Sequence, residues 1–265
     1  MTNAEEKQQI PCLPFFDPAA LDALRDRAME DEDLWRRLSP FLLEELSPTD
    51  FGAAWKDRAD CPQRGLGILE GLAPAFGARE DVEIEGDLVI PSDAVDAAGV
   101  RRPAGPMVVH GDLRVSGGVV AKNHLLVTGA VFADTLETDY DHKVCILGDV
   151  ETRAVATDGA LFVGGEVRAS ELVWTFGDGW PMSAGKGCTT RIYINQNWHP
   201  DQLGPLVAEH QYEVPDEHDF DSLRAVFVDQ TFDEDGELLY WQVMQRLRAR
   251  QPVFRGAATG RPEEA

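Results

Sequence analysis

Five short segments in the middle of the chain share one apolar pattern around a glycine. The five glycines are Gly86, Gly111, Gly129, Gly148 and Gly165. In every segment an apolar residue stands four and two positions before the glycine and again two positions after it, while the residues between them are mixed. Because side chains alternate between the two faces of a strand, this pattern predicts β-strands with one buried face.

The spacing of these glycines predicts how the strands are arranged. Successive glycines are 25, 18, 19 and 17 residues apart. A strand that returns at such intervals with the same face inward suits the stacked coils of a β-solenoid, in which neighbouring strands lie about 4.8 Å apart. An antiparallel sandwich would also alternate, but it has no reason to repeat glycine at one offset. We therefore expect a mainly β fold, with a solenoid of about five coils over residues 81–199 and the glycine column inside it.

The region before the solenoid, residues 1–80, predicts short helices. A capping side chain stands before a proline at Asp17–Pro18, Ser39–Pro40 and Ser47–Pro48, and each pair suits the first turn of a helix. Within the solenoid region, residues 91–105 interrupt the pattern and predict an inserted loop.

The region after the solenoid, residues 200–265, predicts an acidic helical tail. Residues 201–237 hold 12 acidic side chains and one arginine. Apolar residues fall at helical spacing over residues 220–227 and again, more strongly, over residues 239–247. Since the terminal coils of a solenoid expose unpaired strand edges, we expect the two helical regions to cap its ends.

Composition limits the classes of function. The chain has 47 acidic and 24 basic side chains, a formal net charge of −23, which disfavours nucleic acid as a partner and favours a basic protein. No apolar run is long enough to span a membrane, and the first residues lack a secretory signal, so we expect a cytoplasmic protein without membrane contact. The four cysteines lie far apart with no CxxC pair, which argues against disulfides and structural zinc.

The segments MVVHGDLRV, HLLVTGAVF, KVCILGDVE and ALFVGGEVR resemble the core of bactofilins, bacterial β-helical proteins that form polymers. The resemblance covers roughly residues 82–176 and implies a structural scaffold whose cores stack end to end. Bactofilins have a longer core and short tails, whereas this chain has substantial apolar flanks. Its layout of helices, solenoid and acidic tail is also similar to bacterial proteins encoded beside polymorphic toxins, some of which are immunity proteins.

Several motifs approach a known site without completing it. In residues 65–71 and in residues 179–187 the spacing is one residue too long for a phosphate-binding glycine loop. Residues 231–242 begin like a calcium-binding loop but lack its final glutamate. Two clusters, residues 139–142 and 216–219, mix histidine with carboxylates, yet adjacent residues cannot all point at one ion. We therefore expect no metal and no cofactor.

Outward carboxylates on the solenoid flank, such as Asp112, Asp149 and Glu151, could serve a sugar-modifying enzyme. No general-acid pair can be picked out among them, and outward acids more often serve solubility and edge protection. An enzyme on the solenoid flank is therefore kept as a further alternative.

The sequence thus favours a non-catalytic inhibitor or immunity protein, a monomer or small closed oligomer, that occludes a basic toxin or enzyme. The acidic tail would steer association, and tryptophans near the end of the solenoid would anchor the complex, although such aromatics are more often core. A bactofilin-like scaffold is the first alternative. The residues expected to contact the partner are Asp216, Glu217, Asp219, Asp221, Asp233, Glu234, Asp235, Trp174 and Trp180.

Overall fold

The chain forms a β-solenoid of about five turns between residues 107 and 213, with helices before it and one short helix after it. The computed structural model describes residues 16–42, 47–95, 101–103, 105–177, 181–197, 201–213 and 221–255. The predicted mainly β class and solenoid architecture are therefore confirmed.

Three of the four described α-helices before the solenoid begin at an aspartate or serine whose side chain caps the first turn. Asp17 accepts a hydrogen bond from the Ala20 amide at 2.8 Å, and Ser47 and Asp50 form a reciprocal capping box, so two of the three predicted starts are confirmed. The third, at Ser39, begins only a 3₁₀ turn over Ser39–Phe41, and a second 3₁₀ turn spans Ala73–Phe76. The α-helices are α1 (Pro18–Glu30), α2 (Glu32–Leu38), α3 (Pro48–Arg58) and α4 (Pro62–Leu72).

The solenoid strands stack in three parallel ladders, which give it three side faces. Face 1 contains β1 (Val82–Ile84), β6 (Leu113–Val115), β9 (Val131–Phe132) and the first halves of β12 (Val150–Thr157), β14 (Glu166–Gly177), β16 (Gly187–Asn197) and β18 (Leu206–Glu213). Face 2 contains β2 (Leu88–Ile90), β7 (Gly118–Ala121), β10 (Thr135–Thr138) and the second halves of the same four long strands. Face 3 contains β5 (Met107–Val109), β8 (Leu125–Val127), β11 (Lys143–Ile146), β13 (Ala160–Val163), β15 (Ser183–Ala184) and β17 (Gln202–Leu203).

The insertion and the last strand of the solenoid differ from the prediction. Residues 91–105 contain an antiparallel hairpin of β3 (Asp93–Val95) and β4 (Arg101–Pro103), so the predicted insertion is present as strands. The last strand, β18, pairs with β16 as far as Glu213, beyond the predicted end at residue 199. The sequence pattern missed this coil because half of the side chains of β18 are exposed and polar.

The alternating apolar positions line the interior, as predicted. Residues two before and two after each of the last four glycines are fully or almost fully buried in one hydrophobic cluster. They are Val109, Leu113, Val127, Val131, Ile146, Val150, Val163 and Val167. This continuous column is the main core of the protein.

The alignment of the first glycine was wrong. Gly86 lies at the corner between faces 1 and 2, where the Gly117 amide donates to its carbonyl at 2.9 Å. Its true counterpart is therefore Gly117, since Val82 pairs with Leu113 on face 1. Because the inserted hairpin lengthens the first coil, the sequence alignment matched Gly86 with glycines that lie at a neighbouring corner.

The other four glycines stack at a corner and do not fill the interior, which corrects the expected position of the column. The amide of Gly129 donates to the carbonyl of Gly111 at 2.9 Å, Gly148 repeats this contact with Gly129, and Gly165 repeats it with Gly148 at 3.1 Å. A Cβ on Gly148 would lie 2.5 Å from the Gly129 carbonyl oxygen. Glycine is needed here because two backbones approach closely.

An aspartate after the glycine strengthens this corner. Asp149 Oδ1 accepts a hydrogen bond from the Glu166 amide at 2.9 Å, beside the space that a Cβ on Gly165 would need. Asp112 makes the same contact with the Ala130 amide at 3.0 Å. These carboxylates were expected to be merely outward and solvated, but they join successive coils.

The described parts of the flanking regions cover side faces of the solenoid, whereas the sequence analysis placed the flanks at its ends. On face 3, the outward side chains of Leu126, Cys145 and Phe162 are buried in one cluster with α1 to α4. On face 2, the outward side chains of Leu172 and Trp174 lie in a cluster with the segment 221–255. Both flanks had apolar stripes, and a flat apolar sheet face buries more of such a stripe than a narrow strand edge does.

The segment 221–255 is less helical than predicted. The first expected helix is only a 3₁₀ turn over Asp221–Ala225, and another 3₁₀ turn spans Asp229–Thr231. The second expected helix is confirmed as α5 (Tyr240–Arg248).

The corner contact predicts a cost for the smallest side chain. Gly148→Ala should destabilise the protein by about 2 kcal/mol or more, because its methyl group would overlap the Gly129 backbone. Gly67→Ala in α4 is the control, since a Cβ there meets only the Arg37 guanidinium at 3.5 Å, and helix propensity favours alanine by up to about 1 kcal/mol. Chemical denaturation measures both changes, and equal midpoints would contradict the backbone contact.

Candidate partner-binding surface

The segment 221–255 is attached to face 2 by a hydrophobic cluster. Alternate residues of the long strands point outward on this face and are apolar, and Trp174 is 1% exposed there. Trp174 lies 6.4 Å from the Phe227 ring and 6.0 Å from the Tyr240 ring. The segment is therefore part of the folded structure and holds its surface residues in fixed positions.

A buried carboxylate adds polar contacts of defined geometry to this attachment. Glu137 on β10 accepts a hydrogen bond from the Tyr240 hydroxyl at 3.3 Å and pairs with Arg248 Nε at 3.1 Å. Burial raises the pKa of Glu137, and the Arg248 cation opposes this rise. Arg153, paired with Asp134 at 2.9 Å, also donates to the carbonyl of Leu247. Polar contacts at both ends of α5 thus fix it on the solenoid.

The predicted acidic residues are placed only in part. Asp216, Glu217 and Asp219 lie outside the described residues, as does the side chain of Asp221, whose backbone begins a 3₁₀ turn. Their role in partner binding stays a prediction.

The second acidic group forms a tight turn. Asp233 Oδ1 accepts a hydrogen bond from the Glu237 amide at 2.8 Å, and Gly236 adopts φ +89°. Asp233 is half-buried and shapes the turn, whereas Glu234 and Asp235 at its tip are exposed. The tip therefore offers two free carboxylates on a rigid support.

The tryptophan predictions have different outcomes. Trp174 is buried beneath the segment 221–255, so it cannot reach a partner while that segment is attached, and the core interpretation of this residue holds. Trp180 lies outside the described residues.

Sequence reasoning missed Trp241, whose side chain is 54% exposed. It borders a shallow groove on α5 with Gln230, Gln242, Gln245 and Arg246. The apolar stripe of α5 runs through Val243, Met244 and Leu247, and Trp241 falls outside it. The position of Trp241 outside this stripe was visible in the sequence and indicated its exposure, because a tryptophan outside the buried stripe of a surface helix faces solvent.

We group the groove beside Trp241 with the acidic turn that precedes α5 in the chain as the candidate partner-binding surface, and we call it the C-terminal surface: Gln230, Glu234, Asp235, Trp241, Gln242, Gln245 and Arg246. Tryptophan and arginine are the residues that most often anchor protein interfaces. An exposed aromatic with amide side chains and carboxylates can bind a basic protein surface by contact and by charge.

The flank carboxylates are occupied by other contacts. Asp149 and Glu151 lie 3.4 and 3.6 Å from Arg168, and Asp112 lies 2.9 Å from Arg79. A backbone hydrogen bond from Glu166 lowers the pKa of Asp149. A general acid needs the opposite shift, so this carboxyl does not suit the acid role in sugar hydrolysis.

The histidine cluster beside face 3 is a packing feature. His142 lies edge-on to His124 at 5.5 Å, and burial lowers the pKa of His124 to about 3. The Lys143 amide donates to His124 Nδ1 at 3.0 Å, and the Lys143 amine donates to the Lys56 carbonyl on α3. Within the described residues, no group of three or more potential ligands is arranged around a metal ion.

Glu137 provides a test of how the C-terminal surface is held. Glu137→Ala removes the hydrogen bonds that this carboxylate accepts from Tyr240 and Arg248 and should weaken the attachment of α5 by about 1 to 2 kcal/mol, since Arg248 is 39% exposed and stays solvated. Hydrogen exchange should then speed up in residues 240–248 more than in the solenoid. Asp22→Ala, which removes an exposed pair with Arg25, is the control and should change stability by less than about 1 kcal/mol. Unchanged exchange in α5 would contradict the proposed attachment.

Comparisons with known proteins identify no family for this chain. No protein-family model, no curated protein and no solved structure matches it. Among the described helices, none is long and apolar enough to cross a membrane. Of the resemblance to bactofilins, the structure supports a β-solenoid core of about five turns, here preceded by helical segments.

Proposed function

We propose that the protein is a non-catalytic binding factor of the cytosol that inhibits a basic protein, such as a toxin or an enzyme, by covering it. The observation that carries this proposal is the exposed Trp241 on a segment whose neighbouring turn presents Glu234 and Asp235. These residues are held on face 2 by the Trp174 cluster. A partner would therefore meet a surface that is already ordered.

The mechanism would be occlusion in two steps. The carboxylates of Glu234 and Asp235, on a chain with a net charge of −23, attract a basic partner to this surface, which raises the association rate. Trp241 and the glutamines beside it then exclude water at the contact, which sets the lifetime of the complex. Steering and retention would thus depend on different residues of one surface.

Matched variants test this proposal. Glu234→Lys with Asp235→Lys should slow association about tenfold or more at low salt, because attraction becomes repulsion, and Trp241→Ala should speed dissociation by a similar factor. The controls lie on α2: Glu32→Lys with Asp33→Lys reverses two exposed charges, and Trp35→Ala removes a tryptophan that is 42% exposed.

The partner is first isolated on immobilised wild-type protein from an extract of the source cells, and its binding rates are then measured by surface plasmon resonance. We expect the α2 variants to retain most of the wild-type affinity, since they change net charge equally but leave the C-terminal surface intact. If both sets of variants bind alike, the C-terminal surface is not the recognition site. If association is insensitive to salt, charge steering is wrong.

A scaffold is a second candidate, and one observation favours it. Core residues of the terminal coils are only half-buried: Val82 and Ile84 at one end, Leu203 and Leu206 at the other. Strand β18 pairs with one neighbour among the described strands, and its Val207 is 61% exposed. Stacking of a second solenoid on such an end would complete the core and pair the free strand edge.

Electron microscopy decides between assembly and discrete particles. Because a charge of −23 on each copy opposes open stacking, we expect negatively stained particles without filaments at physiological salt. Leu206→Lys is the control, since Leu206 lies at the open end of the core, where a stacked coil would bury the added charge, whereas in a discrete particle the amine can reach solvent. Filaments that the wild type forms and Leu206→Lys abolishes would establish the scaffold and overturn our preference.

A further inference from the structure

Face 1 carries a regular row of outward side chains that the proposed function does not use. One residue from each strand lies directly opposite its neighbour in the next strand, without any register shift. The row reads Glu83, Arg114, Phe132, Glu151, Arg168, Thr189 and Val207. Each step along it is about 4.8 Å, the spacing of paired strands.

The centre of this row is accessible. Arg114, Glu151 and Arg168 are 44%, 58% and 41% exposed, so a second copy can reach them although Arg114 lies 3.4 Å from Asp112 and Arg168 lies 3.6 Å from Glu151 within the chain. Arg114 lies over one side of the Phe132 ring, with its guanidinium carbon 3.9 Å from the ring centre. Unlike faces 2 and 3, this face therefore keeps its charged groups in solvent, although it is as flat and regular as they are.

We propose that face 1 binds the same face of a second copy, with the two-fold axis at Phe132. The two rows then run in opposite directions, and each charge meets its opposite. Arg114 faces Glu151 of the second copy, Glu83 faces its Arg168, and each of these pairs occurs twice. The two Phe132 rings meet at the axis. Such an isologous contact is self-complementary and closed.

The charge pattern also specifies the register. Sliding the second copy by one strand in one direction would place Glu83 against Glu151. Sliding it by one strand in the other direction would place Arg114 against Arg168. Like charges held together in this way raise the free energy of the complex. The register centred on Phe132 is therefore favoured over the two registers shifted by one strand.

The contact is small, and this predicts its strength. Five strands at about 4.8 Å cover only roughly 20 Å of the solenoid length. The area buried by so short a contact is well below that of a permanent dimer. The net charge of −23 on each copy adds repulsion. The dimer should therefore form reversibly at roughly micromolar to tens of micromolar protein.

Charge reversal tests the pairing directly. Sedimentation velocity is run at about 10 to 200 μM protein, a range that includes the expected dissociation constant. Over this range the mass of the wild-type species should shift from 29.2 kDa toward twice that value. Arg114→Glu alone and Glu151→Arg alone should each remain monomeric. An equimolar mixture of these two variants should dimerise again, because both cross-pairs are then opposite in charge.

The control is Arg36→Glu on α2, which makes the same change in charge at a side chain that is 71% exposed. It should dimerise like the wild type. A wild type that stays monomeric at the highest concentration, an Arg114→Glu variant that dimerises normally, or a mixture that stays monomeric would each overturn the proposal.

Cross-linking gives a second readout that does not depend on the ion pairs. In a background with Cys12→Ser and Cys61→Ser, Phe132→Cys should be joined to a second copy by a short bismaleimide, since both sites lie at the axis. Cys145 and Cys188 are buried and should not react. Thr189→Cys should not be joined, because the two copies of this site would lie about 29 Å apart, six strand spacings. Equal cross-linking at both positions would contradict the two-fold axis at Phe132.

Discussion

The contact between backbones at one corner of the solenoid is the constraint on which the rest of the structure depends. There the amides of Gly129, Gly148 and Gly165 each donate to the glycine carbonyl of the preceding coil. A side chain at these positions would hold neighbouring coils apart and break the ladders that meet at the corner. The Asp149 carboxylate also accepts a hydrogen bond from the Glu166 amide of the next coil. With the coils at strand spacing, the inner valines and leucines stack into a continuous core.

This geometry creates three flat faces, and the protein uses them differently. Faces 2 and 3 present apolar residues outward, and the segment 221–255 and helices α1 to α4 bury them. The outward row of face 1 presents four charged side chains together with Phe132, Thr189 and Val207. The solenoid is therefore the rigid support, the C-terminal surface is held on one side of it, and face 1 remains exposed for another contact. Rigidity matters for both proposed contacts, because an ordered surface loses little conformational entropy when it binds.

Trp174 and Trp241 show how far the candidate site could be predicted. Both belong to apolar, strand-like or helical stretches, and the sequence analysis selected only the first as a surface anchor. Trp174 turned out to be 1% exposed and Trp241 54% exposed. The phase of α5 was sufficient to place Trp241 outward, but the burial of Trp174 depends on a segment more than 40 residues later that covers face 2. Contacts between distant segments leave no local pattern in either one.

Local sequence patterns were sufficient to predict the solenoid, its period and the inward positions, because alternation and spacing are local consequences of strand geometry. They also predicted the caps at Asp17 and Ser47, where one side chain and one amide three residues later suffice. Contacts across the fold were needed to show that the glycines form a corner, that Gly86 stacks with Gly117, and that the described flanks cover side faces. Each of these depends on which surfaces meet across tens of residues, and such meetings are set by the total area that the whole chain can bury.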